Sequence, residues 1–244
     1  MYSCFHSLIF QLAHRDSRKV LSPLACAIIA GARGVVPTLF MCALVVCVLA
    51  SCKGSEPSGK NPYFQPDSIA QERVAKDRYW REGENSPLRK EDKALFQGLA
   101  YFAPNPDYCI AARFESLPTQ DTVRILTNDN EVRLMLRVGR LHFVVGKDSC
   151  HLTAYRYTGL EGKMQRGYFV PFKDATNGTD SYRPGRFLDV EIPRANEPFI
   201  LDFNRAFNPY CNYNEEYSCP LVPQENILAV RIEAGEKVFF HPRK

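Results

Sequence analysis

The chain has 244 residues, 45% of them hydrophobic and 24% charged, and carries 17 prolines, 16 phenylalanines and 12 tyrosines. These are values of a globular protein and favour a β-rich, loop-rich domain over a helical bundle. Most of the formal net charge of +4 lies early, where Arg15, Arg18, Lys19 and Arg33 face only Asp16; the rest is near +1, too neutral to track phosphates, so nucleic acid is not an expected partner.

From Val35 to Ser51 runs "VVPTLFMCALVVCVLAS", apolar almost throughout, with Arg33 before it and Cys52 after it. A positive n-region, an apolar h-region and small residues at the end make a secretory signal. "LASC" (Leu49 to Cys52) also resembles the bacterial lipobox, whose cysteine is lipidated and becomes the new N-terminus. A plain membrane span is the alternative, since seventeen residues reach only the lower edge of spanning length. The small-small-Cys ending is not something a span needs. Residues 1–51 thus read as a lipoprotein signal with a long or over-extended n-region. Residues 52–65 read as a lipidated tether with the Gly/Ser/Pro/Lys stretch "KGSEPSGKNP", and 66–244 as the domain. The expected location is the bacterial envelope, facing the periplasm, with the lipid bilayer as a partner through Cys52.

"DSIAQERVAKDRYWREG" follows as a charged helix, with Ser68 as its N-cap and Gln71 three residues on. Ile69 and Trp80, eleven apart, return to nearly the same face and serve as its anchors. "SPLRKEDKALFQGL" suggests a second short helix opened by Ser86 and Pro87. Beyond Tyr108 the period becomes two. "EVRLMLRVG" sets Val132, Leu134, Leu136 and Val138 on one face against Arg133 and Arg137, and "RLHFVVG" returns after a hairpin at Gly139-Arg140. "TVRILTN", "HLTAYRY", "YFVPF", "RFLDVEI", "FILDFN" and "ILAVRIEAG" alternate similarly. The expected fold is mainly β (α+β): a single barrel- or sandwich-like domain preceded by one or two short helices.

No nucleophile elbow, HExxH, P-loop or dinucleotide-binding glycine motif occurs, and no cofactor is expected. His142, His151 and His241 are the histidines beyond Cys52, and a lone histidine is more often a satisfied residue than a ligand. Two dense polar stretches remain. In "FVPFKDATNGTDSYRPGRFLDVEI", Asp174, Thr176 and Tyr182 crowd a turn-rich connection ahead of Arg186, the natural partner of a carboxylate such as Asp174 or Asp202. In "LDFNRAFNPYCNYNEEYSCPLVPQEN", Asp202 and Asn204 share one strand face, Asn208 precedes Pro209 in a turn, and Glu225 and Asn226 close the run. Either these side chains line a ligand pocket or they form a polar network pinning a long loop to the sheet.

Beyond Cys52 the chain holds Cys109, Cys150, Cys211 and Cys219. The seven residues between Cys211 and Cys219 suit a zinc half-site poorly, and in an exported domain a disulfide closing a small loop is the better physical match.

"VPFKDATNGTDSYRPGRFLD", "LDFNRAFNPYCNYNEEYSCPLVPQEN" and "IEAGEKVF" together resemble the bacterial domain-of-unknown-function family sixteen-eighty-four. Its members run PF-DAT-G-TY-GR-LD, then DFN-AYNP-C-CP-P-EN, then AGEK. "REGENSPL" and "FQGLAYFAPN" resemble its upstream segment, so the likeness spans roughly 70 to 240. Ser181 after Asp180, and Phe187 and Phe207 where Tyr is usual, are the departures. The resemblance implies that both polar stretches belong to one site, and it carries no activity. It also keeps metal or thiol chemistry open at Cys211 and Cys219, since such pairs occur in relatives that look cytoplasmic. Three functions follow: binding of a small or extended polar ligand at 172–186 and 202–226; hydrolysis with Asp174, Asp202 or Glu225 as acid/base and Arg186 or Asn204 on an oxyanion; or a purely structural envelope role.

Overall fold

The structure, a computed structural model, describes residues 61–159 and 165–241. The expected signal segment, Cys52 and the expected tether up to residue 60 lie outside the described residues. No helix among the described residues is long and apolar enough to cross a membrane.

Helix α1 (Pro66–Glu82) opens the fold and a single turn, α2 (Lys90–Lys93), follows. Ser68 is not the cap of α1: Pro66, whose fixed φ suits a first helical turn, places the start earlier, and the Ser68 hydroxyl instead donates to Glu72 Oε1 one turn on at 2.8 Å. Ile69 and Trp80 are the buried residues of this otherwise charged helix, as their spacing implies. Ser86 and Pro87 do not open α2; the Ser86 hydroxyl donates to the Trp80 carbonyl and helps terminate α1.

Six strands follow: β1 (Cys109–Leu126), β2 (Val132–Val145), β3 (Asp148–Tyr157), β4 (Gly167–Phe172), β5 (Arg186–Glu191) and β6 (Phe199–Asp202). All pair antiparallel, in the order β5-β4-β3-β2-β1-β6. β1 is long enough to serve two neighbours, β6 over Cys109–Ala112 and β2 from Arg113 onward. The sheet curls so far that its free edges nearly meet. Phe207, five residues past the end of β6, exchanges both backbone hydrogen bonds with Phe187 of β5 at 2.8 and 2.9 Å, and this bridge nearly closes the barrel.

Bulges produce the curl. The β1–β2 register shifts between Ser116 and Asp121, and the β2–β3 register between Arg137 and Gly139. Gly139-Arg140 is therefore interior to β2 and makes no hairpin; the reversal falls at Gly146, at φ +60. Gly139 is required by close approach instead, because a Cβ there would sit 2.3 Å from the Phe114 ring and 2.6 Å from the Glu115 carbonyl. The same bulge inverts the facing of β2. Leu136 and Val138 face the core before it and Leu141 and Phe143 after it, whereas Val132 and Leu134, expected on the face of Val138, are exposed and Met135 is buried against the other face of the sheet.

The core within the curl joins Val138, Leu141, Phe143, Leu152, Val170, Phe172, Leu188, Leu201 and Phe203. β3, β4 and β5 are also covered on their other face, where Tyr155, Phe169 and Phe187 pack with Ile125 and Met135. A third cluster of Trp80, Leu88, Phe96 and Tyr213 docks α1. "ILAVRIEAG" packs Leu228, Ile232 and Ala234 into the core but forms no strand. Its first half pairs briefly with the backbone of 173–175, Leu228 N–H on the Lys173 carbonyl and Ala175 N–H on the Val230 carbonyl, but the peptide groups of Ile232 and Ala234 are taken by side chains, which is where the candidate site begins.

Candidate functional site

Gly185, at φ +120, turns the chain into β5 and delivers Arg186 to the interior. There Arg186 Nη2 donates to Asp174 Oδ2 at 2.7 Å, with neither side chain exposed to solvent. The same guanidinium donates to the carbonyls of Ile232 (2.9 Å), Ala234 and Glu236 (3.2 Å) and lies over the Phe172 ring. Asp174 Oδ1 accepts from the backbone N–H of Thr176 (2.8 Å) and of Ile232 (3.2 Å). One buried ion pair thus satisfies peptide groups of 232–236 that strand pairing would otherwise have taken. The buried hydroxyls of Thr176 and Ser181 bond each other at 2.7 Å, and Asn177 ties the turn through Asp174 N–H, Ser181 and the Tyr182 carbonyl.

Glu236 carries the next cluster. Its buried carboxylate accepts from Lys76 of α1, from the Tyr213 hydroxyl and from Asn208 N–H (2.8 Å), while Asn208 Nδ2 donates to the Lys237 carbonyl at 2.8 Å. Burial and the Glu236 charge push the Tyr213 phenol well above its ordinary range, so it stays a donor. Asp202, at the end of β6, holds Asn204 by its backbone N–H and side chain, and pairs with Arg205 Nε at 3.0 Å; Arg205 also bridges to Glu72 of α1. Asn204 exchanges two bonds with the backbone of Asn105, at 2.8 and 2.9 Å. Asn226 clamps the N–H and carbonyl of Thr153 and the carbonyl of Pro171, joining β3 to β4. Glu225 sits apart, accepting from the Tyr155 hydroxyl at 2.7 Å and from Arg137.

The two polar stretches do meet. Asp174, Thr176 and Arg186 join Asn208 through the 232–237 segment, and Arg186 pairs with Asp174 rather than with Asp202. They do not surround an open cavity, however: Asp174, Thr176, Arg186, Asp202, Asn204, Asn208 and Asn226 are all buried and their charges are internally compensated. Glu236, Lys76 and Tyr213 are the members that sequence reasoning missed. Only the "AGEK" motif pointed toward Glu236.

Where both stretches reach the surface they flank a concavity of about 430 Å³, lined by Tyr182 and Arg183 from the first, Cys211 and Asn212 from the second, and Phe239 and His241 near the C-terminus. No Asp or Glu lines it. Arg183 is exposed and has no ion-pair partner among the described residues, and Asn212 Nδ2, buried in the wall, donates to nothing among them. His241 is held by Asp92 at 2.7 Å. A second depression of about 490 Å³, at Phe102, Asn105, Tyr108 and Glu233, contains none of the candidate residues.

All four described cysteines are free thiols. Cys211 N–H donates to Cys219 Sγ at 3.3 Å, and the Tyr182 hydroxyl lies 3.9 Å from Cys211 Sγ. Hydrogen bonding by the Cys219 thiol, aided by Tyr182, holds the Cys211 thiol below its usual range against the opposing effect of burial. The same bond and burial push Cys219 the other way. No group of three or more His, Cys, Asp or Glu side chains able to hold a metal occurs among the described residues.

Residues 94–237 match the family described as "Protein of unknown function (DUF1684)". The solution NMR structure of an uncharacterised protein of Haloarcula marismortui is 36% identical, with 70% of this chain and 92% of that one covered and a TM-score of 0.56. No curated protein matches the chain.

Proposed function

The chain belongs to the DUF1684 family of proteins of unknown function, and we propose that its barrel-like domain binds a small anionic ligand in the groove between Tyr182 and Cys211. The observation that carries this reading is the composition of that groove. Both polar stretches contribute to it, no carboxylate lines it, and Arg183 stands in it without an ion-pair partner among the described residues. A cation left unneutralised beside amide and phenol groups suits a carboxylate or phosphate.

Acid–base hydrolysis fits less well. Asp174 and Asp202 are each committed to an arginine, and Glu225 is bound to Tyr155 and Arg137 away from both. The buried parts of the two stretches then serve stability and only their rims serve binding. In this proposal a lipidated Cys52 and its tether hold the domain at the envelope membrane.

The test is a titration of ¹⁵N-labelled protein with inorganic phosphate and small dicarboxylates. Shifts concentrated at 179–183, 211–212 and 238–241 support the groove. Shifts elsewhere, or none with any anion, contradict it.

A further inference from the structure

We infer that Cys211 and Cys219 form a reversible dithiol–disulfide couple, in which Cys211 exchanges with external disulfides and Cys219 resolves the mixed disulfide. The inference stands on the cysteine pair and does not depend on a ligand in the groove.

The two thiols are unequal in access. Cys211 is half-buried and lines the open groove, whereas Cys219 is only 8% exposed behind it. Their apposition is built by the backbone on both sides. Cys219 is fixed by Asn128, whose side chain accepts its N–H at 2.6 Å and whose N–H donates to its carbonyl at 3.0 Å. Cys211 lies in a turn closed by Asn212 N–H on the Pro209 carbonyl at 3.0 Å. The Cys211 N–H donates to the Cys219 sulfur at 3.3 Å, and the Cys219 thiol hydrogen-bonds the Cys211 side chain, which places the two sulfurs side by side. A metal would need further ligands, and no such group exists among the described residues.

The chemistry balances as an exchange with a low-molecular-weight disulfide, R–S–S–R. The Cys211 thiolate attacks one sulfur, the S–S bond breaks, and R–S⁻ leaves and takes up a proton. Cys219 then gives up its proton, attacks Cys211 Sγ and expels the second R–S⁻. The protein loses two electrons and two protons, and two R–SH form. The donors at Cys211, its bonded neighbour Cys219 and Tyr182, favour its thiolate, whereas Cys109 and Cys150 are pushed up, chiefly by burial.

The full chain, equilibrated in glutathione buffers from reducing to oxidising and quenched by alkylation, reads this out by peptide mass spectrometry. A Cys211–Cys219 link appearing in one two-electron transition is expected. Cys219→Ser, with Cys219→Ala as a check on packing, should accumulate glutathione on Cys211, and Cys211→Ser should leave Cys219 unmodified. Tyr182→Phe should slow alkylation of Cys211 several-fold at neutral pH. Failure to link at any ratio, glutathione on Cys219 in preference to Cys211, or zinc retained by both thiols would overturn the inference.

Discussion

Arg186 and Asp174 form a 2.7 Å ion pair in which neither side chain is exposed to water, and the same guanidinium binds three carbonyls of the 232–236 segment. Removing the cation strands a buried carboxylate and frees those carbonyls together. Arg186→Ala should therefore cost about 3–5 kcal/mol in equilibrium urea unfolding. Arg186→Lys should not restore it, because an ammonium cannot reproduce the planar fork. A loss below about 1 kcal/mol would show that the pair is not structural.

The single tryptophan of the chain reports on the helix dock. Trp80 is fully buried against Tyr210 and Tyr213, and Lys76 one turn earlier on α1 is held by Glu236. Glu236→Ala removes the acceptor shared by Lys76, Tyr213 and Asn208. Tryptophan emission should shift to the red with the barrel still folded, as seen by far-UV circular dichroism. Unchanged emission would place the helix anchor elsewhere.

Asp92 gives the stability curve an acid limb. Burial raises its carboxyl pKa, but hydrogen bonds from Arg89 and His241 outweigh that and hold it below the usual aspartate value. A depressed folded value means the contribution is complete above about pH 4 and is lost as pH falls further. Between pH 4 and pH 2, both approximate bounds, the unfolding free energy should fall more steeply in the natural chain than in Asp92→Asn. Equal slopes would remove Asp92 from the acid response.

In the proposed lipobox the Cys52 thiol is the group acylated, so Cys52→Ala should abolish acylation and leave unprocessed precursor. Fatty-acid probe labelling followed by mass measurement of the N-terminus checks this, and a variant that is still labelled would contradict the lipobox.

Particular residues show what was legible from the sequence. Ile69 and Trp80 mark the docked face of α1 by spacing alone, and period-two alternation finds β3, β4, β5, β6 and the end of β1 from Thr122 on. Alternation misleads at β2 because a bulge at Arg137–Gly139 changes register mid-strand, and a glycine demanded by the Phe114 ring reads as a turn. It misleads again at 227–235, where the Ile232 and Ala234 peptide groups bond to Arg186 and Asp174, side chains more than forty residues away in sequence, and so end the brief backbone pairing with 173–175. Charge alone narrows the partner of Arg186 to Asp174 or Asp202, and the fold selects Asp174. That the pair is sealed, with the opening instead beside Arg183 and Cys211, is a consequence of packing that no local pattern carries.

The central claim is that the two polar stretches are structural inside and binding at their rim, and Arg183→Ala tests it most directly. Arg183 has no ion-pair partner among the described residues, so its loss should leave the melting temperature within about 2 °C of the natural chain, as expected for a surface change of no more than about 0.5 kcal/mol. Anion-induced ¹⁵N shifts at 179–183 and 211–212 should disappear in the same samples. Shifts that persist undiminished in Arg183→Ala, or a melting temperature that collapses without them, would contradict the account.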